Sequence, residues 1–106
     1  MGNTTTDLMD TVKEEKGIQS DYALALALAL ALAKRLGVLP QTISNYRHGR
    51  TQMADEIAVA MAGMIDRAPA PILAQLAADR AKSPEVAKIW REAAKVLARS
   101  GRGSKS

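Results

Sequence analysis

Gln41, Ser44, Asn45 and His48 stand at i, i+3, i+4 and i+7. On a helix that spacing puts all four on one face. Two amides, a hydroxyl and an imidazole can each donate and accept hydrogen bonds. That is the chemistry needed to read base edges, because an amide pairs bidentately with adenine. Cations surround this face: Lys34, Arg35, Arg47 and Arg50 lie between residues 34 and 50, with no acid among them. Lys34, Arg47 and Arg50, with the Thr42 hydroxyl, are the candidate phosphate contacts. The same residues offer little to catalysis. His48 is the single histidine, cysteine is absent, and no carboxylate neighbours His48 in sequence, which leaves no ligand set for a metal. Nothing has the form of a phosphate-binding loop, a carboxylate pair or a nucleophile with its base. The sequence therefore argues against an enzyme and implies no cofactor and no small-molecule substrate.

Positioning such a face requires helices. The 106 residues are 47% hydrophobic but only 3% aromatic, with no Phe. A core of Ala, Leu, Ile, Val and Met favours packed helices over sheets. The first helix is expected to run to Lys16, capped by Thr5 or Thr6, with Leu8, Met9 and Val12 inward and Gly17 as its stop. Ser20 or Asp21 caps a second helix reaching Leu36. Pro40 at a first turn opens a third, which runs to about Arg47 and is stopped by Gly49. A fourth covers residues 54–66, with Ile57, Met61, Met64 and Ile65 at helical spacing. The prolines of 67–71 break the chain before a fifth helix over 71–81, in which Ile72, Leu73 and Leu76 point inward. Ser83, Pro84 and Glu85 start a sixth that carries Val86, Ile89, Trp90, Ala93 and Leu97 as one stripe, with Trp90 read as core. The methionines Met53, Met61 and Met64 read as packing. Residues 101–106 are expected to be disordered. Lys95, Arg99, Arg102 and Lys105 read as a solvated basic tail rather than a second phosphate contact.

Ala and Leu alternate strictly from Ala23 to Ala33. Period two is a strand signature, but both residue types are strong helix formers and neither is β-branched. As a helix, the tract puts Leu24, Leu28 and Leu32 on one side and Leu26 and Leu30 nearly opposite. The second pair has no assignable partner within the chain, so it is expected to drive self-association. Deleting eight residues would leave Asp-Tyr-Ala-Leu-Ala-Lys-Arg-Leu-Gly, so the tract reads as a repeat expansion of a shorter helix. The uncharged run 22–33 spans about 18 Å as a helix, short of a bilayer core of roughly 30 Å. No membrane span is expected, and the reading is of a cytoplasmic protein.

The segment Ala33…Gly37-Val38…Ile43-Ser44-Asn45-Tyr46-Arg47-His48-Gly49-Arg50 has the mechanics of two helices crossing steeply through a tight turn. Ala33 is small where the helices touch, Gly37 tolerates the turn, and Val38, Ile43 and Tyr46 anchor the second helix. Here the sequence resembles the helix-turn-helix domain of the lambda-type phage repressor and Cro family, over roughly residues 6–66. The resemblance implies that Gln41, Ser44, Asn45 and His48 inherit base-reading positions. It implies a phage or prophage transcriptional repressor that binds double-stranded DNA as a homodimer. Two residues depart from the family pattern. Leu39 stands where Ser or Thr usually caps the recognition helix, and Pro40 where many relatives have a Gln that reaches DNA.

The expected architecture is all-α: a Cro/repressor-like helix-turn-helix bundle over residues 1–66, a two-helix extension over 67–100 and a tail over 101–106. The alternative is an antitoxin-like or other helical interaction module in which DNA binding is secondary. A further reading is a self-associating or membrane-surface helical protein driven by the Ala/Leu tract.

Overall fold

The computed structural model describes residues 3–31 and 40–103, and every element among them is a helix. In chain order these are α1 (Thr4–Lys16), α2 (Asp21–Ala31), α3 (Pro40–Arg47), α4 (Asp55–Met64), α5 (Pro69–Arg80) and α6 (Pro84–Gly103). Both ends of α1 are closed by local chemistry. Asn3, rather than Thr5 or Thr6, is its N-cap: the Asn3 carboxamide oxygen accepts from the Thr6 amide at 2.9 Å. Thr6 reciprocates as the third residue of a capping box. At the other end Gly17 has φ 68°, and the amides of Gly17 and Ile18 donate to the carbonyls of Glu14 and Lys13.

The expected inward faces of α1 and α4 are observed. Leu8, Met9, Val12, Ile57 and Met61 are buried with Leu24, Leu28, Ile43 and Tyr46 in one cluster. Met53 and Met61 are fully buried, as packing methionines should be. The Ala/Leu tract is helical as far as it is described, because propensity overrides its alternation. Leu24 and Leu28 have no exposed surface, while Leu26 and Leu30 are 49% and 79% exposed. Leu32 lies outside the described residues.

α5 shares this core, although the sequence places it in an extension. Leu76 belongs to the same cluster, and Ile72 and Leu73 pack against it. Polar ties reinforce the seat. The Thr4 amide donates to Asp79 at 2.9 Å, and Arg80 donates to the Met53 carbonyl at 2.9 Å and to Asp55 at 3.1 Å. The helix starts at Pro69 instead of Pro71, since a first turn has amides to spare and accommodates both prolines. Across from Arg80, Thr5 is the one buried polar residue among those described, and its hydroxyl accepts from the Met53 amide. Arg67 and Glu15 pair at the opposite edge.

α6 differs from the other five. Among the described elements it packs on α5 alone. Ser83 caps it as expected, its hydroxyl accepting from the amides of Glu85 and Val86. The expected stripe exists, but it is not core. Ala87 and Ala94 are buried, whereas Val86, Ile89, Trp90, Val96 and Leu97 remain exposed. The α5 contact uses the small alanine edge of the apolar arc, and no other described helix packs against the large side chains. α6 also continues through residues 101–103, part of the expected tail.

Candidate nucleic-acid interface

α3 is held by two buried anchors. Ile43 has no exposed surface and Tyr46 is 5% exposed. The Tyr46 hydroxyl also accepts from the Ala54 amide at 3.3 Å, tying α3 to the start of α4. Gly49, at φ 74°, ends the helix in a Schellman motif: the Gly49 amide donates to the Tyr46 carbonyl and the Arg50 amide to the Asn45 carbonyl. That turn brings Arg50 back beside the helix.

With Ile43 and Tyr46 inward, Gln41, Ser44, Asn45 and His48 share the outward face. Gln41 and His48 are exposed, Ser44 and Asn45 half-buried. They are linked along the helix. Gln41 Nε2 donates to Asn45 Oδ1 at 3.0 Å, and Arg50 Nη1 donates to the same oxygen at 3.4 Å. His48 Nδ1 lies 2.9 Å from the Ser44 carbonyl. A carbonyl only accepts, so Nδ1–H is the donor in this contact. Such i,i+4 contacts restrict the rotamers of exposed side chains on a helix. Thr42 is half-buried on the flank of this face.

Arg47 has a different position from the one its charge suggested. Its Nε donates to Asp21 at 2.9 Å, and one Nη donates to Asp10 at 2.7 Å and to Asp21 at 3.1 Å. Lys13 completes the cluster at 2.9 Å from Asp21. Hydrogen bonds from Arg47 and then Lys13 outweigh partial burial and hold the Asp21 carboxyl near pKa 2, below its ordinary 3.8. The Asp21 and Asp10 carboxylates likewise push the Arg47 guanidinium up. Arg47 thus clamps α3 onto α1 and α2, with two of its three nitrogens committed to carboxylates. In the sequence Asp21 reads only as a cap, because nothing local joins residues 21 and 47.

Arg50 is exposed at the end of the polar face, where a phosphate contact requires it. Lys34, Arg35 and the motif positions Ala33, Gly37 and Val38 lie outside the described residues, as does Leu39. Among the described residues no group of His, Asp and Glu side chains could hold a metal ion. No described helix is long and apolar enough to cross a membrane. No family model, curated protein or solved structure matches this chain.

Proposed function

We propose that the protein binds double-stranded DNA sequence-specifically through α3, as a Cro/repressor-like helix-turn-helix regulator acting as a dimer. The observation that carries this reading is the division of α3. Ile43 and Tyr46 are buried in the core, while the side chains of Gln41, Ser44, Asn45 and His48 form the opposite face, with Gln41 bonded to Asn45 and His48 to the Ser44 carbonyl. Asn45 Nδ2 and Gln41 Oε1 provide a donor next to an acceptor, complementary to the N7 and N6 edge of adenine. Arg50, and Lys34 from the preceding segment, supply phosphate contacts, with Thr42 on the flank. Arg47 serves to fix the angle of α3 on α1 and α2, and this role replaces direct phosphate binding as its main one. Occupancy of a promoter would then exclude polymerase.

Selection of bound sites from random DNA, followed by titration of the selected operator, tests the reading. Gln41→Ala and Asn45→Ala should each reduce discrimination by roughly 1–3 kcal/mol per lost bidentate contact, while non-specific binding stays nearly unchanged. Arg50→Ala should weaken binding to all sequences and reduce the salt slope by about one. Recovery of no preferred sequence, or full operator preference in both amide variants, overturns the proposal.

A further inference from the structure

The apolar stripe of α6 is the largest feature the monomer leaves unexplained. Val86, Ile89, Trp90, Val96 and Leu97 are 43%, 62%, 42%, 53% and 37% exposed. Val86 and Ala93 are seven apart, as are Ile89 and Val96, and Trp90 and Leu97. This is a heptad pattern with a third apolar column, suited to packing against another helix. The side chains expose on the order of 450 Å² of apolar surface, near the top of what a monomer ordinarily leaves bare.

We propose that a second copy of this chain covers the stripe, with the two α6 helices antiparallel about a two-fold axis near Glu92. Charge along the edge of the stripe specifies both partner and orientation. Glu85, Glu92 and Arg99 are also spaced by seven and border the stripe on the side of Ile89 and Val96. In an antiparallel pair, Glu85 of one copy meets Arg99 of the other, twice over. The central Glu92 residues face each other, and each has Lys95 at 3.7 Å to offset its charge. A parallel pair would leave the two Glu85–Arg99 matches unmade. Ala93, half-buried at the centre, lets the helices approach closely. Two stripes together bury about 900 Å² of apolar surface before the polar rim is counted, close to the lower bound for a specific interface. The association is therefore concentration-dependent rather than obligate. Leu26 and Leu30 on α2 are also exposed, but no described charge column of complementary sign accompanies them.

The pairing stands on α6 and does not depend on the DNA reading, so it is tested without DNA. Sedimentation of the full chain from about 1 µM to 1 mM spans the range expected of such an interface. The mass should rise from 11.3 kDa towards twice that value. Ile89→Glu combined with Val96→Glu should raise the dimer Kd by at least about 100-fold, with circular dichroism unchanged because both sites are exposed. Glu85→Arg and Arg99→Glu alone should each raise Kd by roughly three- to tenfold, and the double swap should restore it. The swap depends on no buried residue, so it remains informative if the first variant folds poorly. A wild type that stays monomeric throughout overturns the proposal and leaves the stripe to a different protein. An oligomer unaffected by Ile89→Glu/Val96→Glu overturns it in favour of the α2 leucines. Single swaps without restoration in the double variant refute the antiparallel arrangement.

Discussion

α3 and α6 are both amphipathic helices that bury one stripe and turn another to solvent, and they do so in opposite senses. In α3 the large apolar side chains, Ile43 and Tyr46, are inside and the polar ones face outward. In α6 the residues described as buried are Ala87 and Ala94, and Ile89, Trp90 and Val96 face outward. A bare polar face is stable in water without a partner. A bare apolar face of this size is costly in water and points to another surface. The attachments differ to match: α3 is gripped from α1, α2 and the start of α4 by ion pairs and a tyrosine hydroxyl, whereas α6 rests on α5 through small side chains.

The sharpest way to break this contrast uses one residue type in both helices. Ile43→Ala should destabilise the monomer by about 2–5 kcal/mol, because it empties a closed part of the core. Ile89→Ala should change monomer stability by no more than about 0.5 kcal/mol. Urea titrations at low protein concentration measure both. Similar losses would show that α6 is as integral to the monomer as α3.

The clamp on α3 makes a smaller, pH-dependent contribution. Because the Asp21 carboxyl is held near pKa 2 in the folded protein, its stabilisation is present above its unfolded value of 3.8. It fades as pH falls from there through about 2. With allowance for partial exposure, the effect is roughly 1–2 kcal/mol. Thermal melts of wild type and Asp21→Asn between neutral and strongly acidic pH should differ at neutrality and converge in acid. A constant gap across that range would place the stabilisation elsewhere.

An effect of similar size, but of different origin, sharpens the end of α3. An added Cβ at Gly49 meets nothing within 4 Å, but the backbone is at φ 74°. Gly49→Ala should therefore cost about 1–2 kcal/mol from conformation alone. That range overlaps the Asp21 effect, but the loss should be independent of pH. A melting temperature equal to that of wild type would mean that the Schellman turn relaxes freely.

Much of the arrangement was legible in the sequence. The Pro40 start, the Gly49 stop and the split of α3 between Ile43/Tyr46 and Gln41/Asn45 follow from periodicity and turn chemistry, which act within a few residues. The helicity of the Ala/Leu tract as far as Ala31 follows from propensity, and the exposure of Leu26 and Leu30 from its geometry. Local pattern gives neither the pairing of Arg47 with Asp21 and Asp10 nor the exposure of Trp90, which it assigns to the core.

By itself, then, the sequence determined which segments are helical, where most of them start and stop, and which side chains share a face. Those properties depend on neighbours one or two turns away. Only the tertiary structure decided what covers each face. It placed Asp21 against Arg47 across 26 residues, seated α5 in the common core through Leu76, and left the stripe around Trp90 outside it. Periodicity records that a helix has an apolar side. Whether that side meets its own chain or another depends on packing between segments far apart in sequence.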